Sequence, residues 1–562
     1  MRVEPIMSWY PPEISREISW TRRTVQAFLE DSALKHPDAH ATSFFGAVLT
    51  FSELDQEANR FAHALTGLGV QPGDRVAIHL PNSPQLLICL YGSLKAGAVA
   101  TMSSPLYESR ELAYQLKNSG ARIMVTLSQH DILARAEAAH REAGLHHLIV
   151  TNIKDYFPAA LRTLFTMFKE KKEGHRADLD ASRGQLWFRD ILKGQPSSRP
   201  ERQFDTAATA ILQYTGGTTG LPKAAELTHD NLVANAAQVR AWLYELKETE
   251  ERMLMVLPLF HVYALTCCNL IMDLAGPAIL VPRFDLADVL KTIDREKPTV
   301  FPGIPAMYAA INHSLERGGK DAAADLSSIR LCFSGADRLP REVQADFERL
   351  SGGQVIEGYG LTESSPVTHV NPMHGPRKDG SIGLPIPNTE VRIIDLETGK
   401  DVKPGEEGEM LVRGPQVMKG YWNEPEETAL AISPDGWLHT GDIARADSDG
   451  FYYIVDRKKD IIITGGINVY PREVEEVLTQ FSKIKEVAVK GLPHKLRGEV
   501  VKAYVVLKEN EQATAGEIRK FAREKMADYK VPQKIEFIDE LPRSVLRKVL
   551  KRKLDDGENE HS

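Results

Sequence analysis

Tyr214-Thr215-Gly216-Gly217-Thr218-Thr219-Gly220-Leu221-Pro222-Lys223 is the stretch from which the rest of the chain can be read. Its three glycines permit φ > 0 and close approach of a ligand, so successive N–H groups can fold around phosphate oxygens. Thr215, Thr218 and Thr219 add hydroxyls, as donors or as a metal ligand, and Lys223 adds positive charge. In the common P-loop a glycine is followed directly by Lys and then Ser or Thr. Here Leu221-Pro222 separates Gly220 from Lys223, and Ala224 follows. Ala207 to Gln213 reads as a strand leading into the loop, and Asn231 onward as a helix beyond it. A phosphate loop at a strand end is where open α/β sheets bind ligands.

Four further islands follow in order. Gly358-Tyr359-Gly360-Leu361-Thr362-Glu363 is a glycine-bounded aromatic turn ending in a hydroxyl and a carboxylate. His439-Thr440-Gly441-Asp442 places a carboxylate after a tight turn, and Tyr453-Ile454-Val455 leads into the charged crossing Asp456-Arg457-Lys458-Lys459-Asp460. Leu541-Pro542-Arg543-Ser544, followed by Lys548, lies near the C-terminus. Each island alone is a weak signal, since a turn Asp or a tail Lys is usually just solvated. Together, from residue 214 to residue 548, they resemble the adenylate-forming superfamily of acyl-CoA synthetases, luciferases and peptide-synthetase adenylation domains. The resemblance covers nearly the whole chain.

The resemblance implies two half-reactions. A carboxylate attacks the α-phosphorus of ATP, giving an acyl-adenylate and pyrophosphate; the thiol of CoA then takes the acyl group and AMP leaves. The first step joins two anions, so cations and oriented donors must carry most of the catalysis. By resemblance, Gly216, Gly217, Thr218, Thr219 and Gly220 hold the β- and γ-phosphates with Lys223 nearby. Thr215 and Glu363 contact Mg²⁺, a hard ion suited to oxygen ligands. Gly335, Ala336, Glu357, Gly358, Tyr359 and Gly360 form the adenine slot, and Thr362 meets the α-phosphate. Asp442 and Arg457 bind the ribose, which makes Asp442 a ligand group rather than a core contact. Lys548 bridges the acyl carboxylate and the α-phosphate, although Arg547 stands where the family usually has glycine. Lys459 matches a hinge pivot, and Gly465 and Gly466 would make room for CoA. His261, Val262, Tyr263, Leu265 and Gly303 would line the acyl pocket, with His261 among the catalytic groups beside Lys548, Thr215 and Glu363. Phe301-Pro302-Gly303-Ile304-Pro305-Ala306-Met307-Tyr308 resembles long-chain fatty acid synthetases, and the small Gly303 and Ala306 would leave depth for an alkyl chain. The implied activity is that of a long-chain fatty acid–CoA ligase. A medium-chain or aryl (coumarate-type) CoA ligase, and a fatty acyl-AMP ligase loading a carrier protein, are the alternatives. A non-catalytic lipid- or nucleotide-binding homologue is disfavoured by the intact Lys223, Glu363, Asp442, Arg457 and Lys548.

With 562 residues the chain requires more than one domain. The expected class is α/β. Residues 1–457 would form a large domain of helix-covered sheets with a small β-barrel over about 385–455, and residues 458–562 a mobile α+β lid. A net charge of −8 argues against a nucleic-acid partner. Cys89, Cys267, Cys268 and Cys332 show neither metal-ligand spacing nor a disulfide framework, which points to a cytoplasmic setting. No secretory signal is visible at the start, and the apolar run from Leu265 to Pro282 is broken by Asn269, Asp273 and Pro277. Residues 154–176 look inserted: Phe157, Leu161, Leu164, Phe165 and Phe168 share a helical face and are followed by Lys169, Lys171, Lys172 and Arg176. That segment is either a helix docked on its own domain or a peripheral membrane contact. A homodimer is left open.

Overall fold

The computed structural model describes residues 9–215, 222–317, 324–464, 467–494, 497–543 and 549–554. Strands and helices alternate over the first part of the chain and build a mainly parallel sheet. Among the described residues its order is Gly420–Tyr421, Lys223–Thr228, Thr209–Thr215, Val99–Met102, Arg75–His79, Ile123–Leu127, His147–Thr151 and Gln185–Trp187. Neighbours from Thr209–Thr215 onward are parallel, whereas the two edge strands pair antiparallel. A second sheet sets Met253–Met255, Val300–Gly303, Leu331–Ser334 and Gln354–Gly360 side by side in parallel.

Helix starts follow capping chemistry. Phe51–Gly67 begins at Thr50, whose hydroxyl accepts from Glu53 N at 3.2 Å while Glu53 Oε2 accepts from Thr50 N at 2.9 Å. His229–Trp242 begins in the same way, Thr228 exchanging hydrogen bonds with Asn231. Pro84–Lys95 is buried on every face, and Val262–Asp273 on nearly every face. Helices this apolar need cover all round. One apolar cluster supplies it, running from Val76 and Ile211 of the first sheet through Leu87 and Leu265 to Leu254 and Val300 of the second. The run expected from Leu265 to Pro282 is thus the end of a buried helix followed by the strand Ala278–Leu280. Among the described residues no helix is long and apolar enough to cross a membrane.

Beyond these sheets, Glu390–Ile394, Gly408–Arg413, Leu438–Ala446 and Tyr452–Arg457 form a four-stranded antiparallel sheet. The strands Ile462–Thr464, Ile467–Val469, Ile484–His494, Gly498–Leu507 and Lys534–Phe537 form another, packed with helices Pro471–Thr479 and Ala515–Arg523 around a core of its own that includes Val474, Val489, Val501 and Ile518.

The 154–176 segment does not present one apolar face. The helix covers only Ala159–Leu164 and continues as a wider π-helical turn, Phe165–Lys169. Phe157 lies before it and packs inward against Phe165 at 5.5 Å and Phe45 at 5.0 Å between ring centres. Leu164, Met167 and Phe168 face outward, at 54%, 68% and 66% exposure. The segment is therefore both docked and apolar on its outer side.

Lys95 ends its helix with 1% of its surface exposed. Its ammonium lies 2.6 Å from Asp55 Oδ1 and 2.9 Å from Glu30 Oε1, and donates to Asn59 Oδ1 at 2.8 Å. Removing one partner of a buried pair strands the other charge, at a typical cost of about 3–5 kcal/mol. Lys95→Met is expected to lower stability by that amount, read as a shift of the urea midpoint at neutral pH. An unchanged midpoint would mean that Arg199, 3.4 Å from Asp55, suffices as counter-charge.

Candidate active site

Two groups of charged and aromatic side chains gather near the edge hairpin and the end of the strand Gln354–Gly360. In the hairpin Thr215 stands opposite Lys223 and its hydroxyl donates to the Lys223 carbonyl at 3.3 Å. Gly216, Gly217, Thr218, Thr219 and Gly220, expected to cradle phosphate, lie outside the described residues. The Lys223 ammonium pairs with Glu427 and sits 5.3 Å from the centre of the Tyr421 ring. The Tyr421 hydroxyl donates to Glu363 Oε1 at 2.7 Å. Glu363 itself lies in the short turn Thr362–Ser364 that follows Gln354–Gly360. Gly360 is required there, because a Cβ would stand 1.9 Å from the Pro366 carbonyl oxygen. Tyr421 and Glu427 are not among the residues that the sequence motifs single out.

Asp442, Arg457 and Tyr359 converge at the neighbouring cluster. Asp442 has no exposed surface. Its Oδ1 lies 2.7 Å from Arg457 Nε, and its Oδ2 accepts from the Tyr359 hydroxyl. Asp442 and Arg457 are direct partners across adjacent strands. Burial alone would lower the Arg457 pKa, but Asp442, and after it Tyr359 and Glu363, outweigh it and leave it raised. Burial, then the Asp442 carboxylate, pushes the Tyr359 phenol well above its ordinary value, so it remains a donor. Asp442 is thus as much a core contact as a candidate ligand group. Gly335 and Ala336 follow the strand Leu331–Ser334, with Ala336 at φ +69°. Glu357, Gly358 and Tyr359 run along the next strand. Glu357 accepts from Leu339 N at 3.3 Å, and burial pushes its carboxyl up from 4.5 to about 7. It borders a cleft of about 510 Å³ shared with Arg338, Arg377, Arg472 and Glu476.

Of the residues expected to line the acyl pocket, His261 caps the helix Val262–Asp273, its Nδ1 accepting from Tyr263 N at 3.3 Å. Val262 and Leu265 are fully buried. The Tyr263 hydroxyl donates to Phe333 O at 2.9 Å, and its ring lies 3.2 Å from where a Gly335 Cβ would be. The space left by Gly303 is taken by the Tyr308 ring, which a Cβ would meet at 2.9 Å. Ala306 is exposed. Lys459 lies in the turn Lys458–Asp460, and Gly465, Gly466 and Lys548 fall outside the described residues.

Mg²⁺ suits this donor set. Such ions take one or two carboxylates together with substrate phosphates rather than an all-protein cage. Among the described residues no cluster of three or more His, Cys, Asp or Glu could hold a metal, while the Thr215 hydroxyl and the Glu363 carboxylate are hard oxygens near Lys223.

The family model described as AMP-binding enzyme matches residues 29–422, and the AMP-binding enzyme C-terminal domain matches residues 473–548. A long-chain-fatty-acid–CoA ligase of Bacillus subtilis (strain 168) is 44% identical, covering 99% of both chains. Among solved structures, an anthranilate CoA ligase in complex with anthranoyl-AMP superposes with a TM-score of 0.81 at 29% identity, covering 95% of this chain and 97% of that one. An o-succinylbenzoate CoA synthetase of Bacillus subtilis, in complex with ATP and magnesium ion, gives 0.74 at 29% identity over 94% and 98%.

Two outcomes follow from the geometry. Asp442→Asn should weaken ATP binding by about 1.5–3 kcal/mol, the worth of a hydrogen bond to a charged group, and lower Tm, because the Arg457 charge loses its buried counter-charge. Asp442→Ala should lower Tm further, because Tyr359 also loses its acceptor. An ATP titration of Asp442→Asn that matches wild type would remove Asp442 from the nucleotide site. The second concerns Glu357, whose folded pKa lies above its unfolded one, so its contribution to stability is complete below about pH 4.5 and is lost as pH rises to about 7. Glu357→Gln removes that loss. The Tm of the variant relative to wild type should climb through that window and level off above it; a flat difference across it would contradict the shift.

Proposed function

The chain belongs to the AMP-binding enzyme family, and on that premise we propose that it is an ATP-dependent long-chain-fatty-acid–CoA ligase. The observation that carries the reading is a pair of neighbouring clusters, Lys223–Tyr421–Glu363 and Tyr359–Asp442–Arg457, with Arg457 feeling the charge of Glu363. Full-length similarity to the Bacillus subtilis ligase gives the acyl class.

In the first half-reaction a carboxylate oxygen of the fatty acid attacks the α-phosphorus of ATP. The bond from that phosphorus to the α,β-bridging oxygen breaks, and pyrophosphate leaves with the electron pair. Lys223 offsets charge on the leaving phosphates, and Thr362 donates to the α-phosphate. Asp442 accepts from the ribose hydroxyls while Arg457 and Tyr359 fix its orientation, and the Tyr359 ring offers a face to adenine. Lys548 bridges the attacking carboxylate and the α-phosphate. Thr215 and Glu363 are the groups that would hold Mg²⁺, which when bound supplies further neutralisation at the phosphates. In the second half-reaction the CoA sulfur attacks the acyl carbonyl and AMP departs on its own oxygen, with Gly465 and Gly466 leaving space for the pantetheine arm. The outward Leu164, Met167 and Phe168, beside Lys169, Lys171 and Lys172, form the surface through which the enzyme meets a lipid phase.

Incubation with ATP, CoA and a panel of acids tests the substrate: thioesters should form with long-chain fatty acids, and thioesters with aromatic acids alone would overturn the assignment. The half-reactions separate by mutation. Lys548→Ala should slow acyl-adenylate formation by about 10²–10³, the usual cost of losing one preorganised stabilising group, yet still convert supplied acyl-adenylate and CoA to thioester. Gly466→Trp should do the reverse. Normal pyrophosphate release by Lys548→Ala would shift the role to Lys551.

A further inference from the structure

Tyr421 reaches the site by a route with no helical or strand periodicity behind it. Gly420–Tyr421 adds a two-residue edge strand to Lys223–Thr228, pairing Gly420 with Glu226 and Tyr421 with Ala225. The approach is stitched down on both sides. Met418 N donates to the Glu363 carbonyl at 2.8 Å, Lys419 N to Glu226 O at 3.0 Å, and Trp422 N to Ala224 O at 2.9 Å. Tyr421 N donates to Thr428 Oγ1 at 2.8 Å, and Gly420 lets Thr428 come this close, since a Cβ there would lie 2.7 Å from Thr428 Cγ2. The backbone of Tyr421 is therefore held between the strand that begins with Lys223 and the turn that carries Glu363.

We propose that Tyr421 is a positioning residue for Glu363: its phenol fixes one carboxylate oxygen and leaves the other for the metal that accompanies ATP. The geometry is the 2.7 Å hydrogen bond to Oε1, with Oε2 taking no hydrogen bond among the described residues. The same ring lies under the Lys223 ammonium, 5.3 Å from its centre, so one side chain orders both the carboxylate and the cation of the phosphate side. Partners of this kind typically govern metal affinity by 10- to 100-fold. The inference rests on the reading of Glu363 as a metal-contacting residue, and the test keeps the two apart.

Mn²⁺ binding to the full-length enzyme with ATP, read from the electron paramagnetic resonance of the free ion, reports the site without turnover. Tyr421→Phe keeps the ring over Lys223 and removes only the hydroxyl. It should raise the half-saturating Mn²⁺ concentration about tenfold while metal-free ATP binding by equilibrium dialysis, and Tm, stay at wild-type values. Glu363→Gln should raise it at least as far, and adding Tyr421→Phe to Glu363→Gln should change nothing more. Wild-type Mn²⁺ binding by Tyr421→Phe, with Glu363→Gln impaired, would overturn the positioning role alone. The same tenfold loss from Tyr421→Phe in the Glu363→Gln background would also overturn it, since the phenol would then act by another path. Wild-type binding by Glu363→Gln would overturn the metal assignment beneath it.

Discussion

A carboxylate with no exposed surface must find its counter-charge and hydrogen bonds inside the protein, and Asp442 sets that requirement at the junction of the fold. It answers with Arg457 from the neighbouring strand of the four-stranded sheet and Tyr359 from the large parallel sheet. Removing either partner would leave a buried charge short of compensation, so the two sheets are locked at this point by electrostatics as well as by packing. Arg457 is also the last residue of its strand, immediately before the turn Lys458–Asp460 that leads into the C-terminal unit. The carboxylate proposed to hold the ribose therefore stands where the rest of the chain departs.

The group around Lys223 and Glu363 follows the same logic with weaker burial. Lys223 pairs with Glu427, and Glu363 with Tyr421, so the charged groups that would meet an anionic ligand and its metal hold partners within the chain. Such partnering limits the reorganisation needed when charge develops, which is the main electrostatic advantage of an enzyme site over water. It also sets a cost: a phosphate that claims Lys223 competes with Glu427, a half-exposed pair of the kind worth about 0–1 kcal/mol. That competition is cheap enough to be won by a polyanion.

The sequence made the framework readable because the framework is periodic. The strand read from Ala207 to Gln213 and the helix read from Asn231 onward appear as Thr209–Thr215 and His229–Trp242, about two residues from their patterns, since burial writes itself into apolar spacing. Motif residues were legible for a different reason: Gly360 admits no side chain, and Asp442 and Arg457 are paired by register. Tyr421 and Glu427 were not legible, because a two-residue strand has no period and its meaning comes from a partner about two hundred residues earlier. Gly303 misled in the opposite sense. Its small size suggested open depth, whereas the missing Cβ makes room for Tyr308, whose hydroxyl needs the carbonyls of Phe301 and Phe333. The inserted segment misled because a helical wheel assumes one continuous helix, and Phe157 stands outside it.

The way the C-terminal unit is attached bears on how one crevice could serve two chemistries. Its core, around Val474, Val489, Val501 and Ile518, is separate from the large apolar cluster of the preceding sheets. Among the described residues polar contacts cross the junction: Arg338 pairs with Glu476, Arg472 N donates to Asp456 Oδ2 at 2.8 Å, and a cleft of about 510 Å³ lies between Glu357 and the helix Pro471–Thr479. Arg338 and Glu476 are each about half exposed, so their pair contributes little stability and is readily exchanged for water. A dry apolar seam of the same extent would hold the unit fast, because its separation would expose surface at about 25 cal/mol per Å². An interface of exchangeable charges would instead part at little cost, with neither core unfolding. The fold thus keeps its strong terms within each unit and its weak terms between them, which is the distribution of energy that a movable C-terminal unit would require.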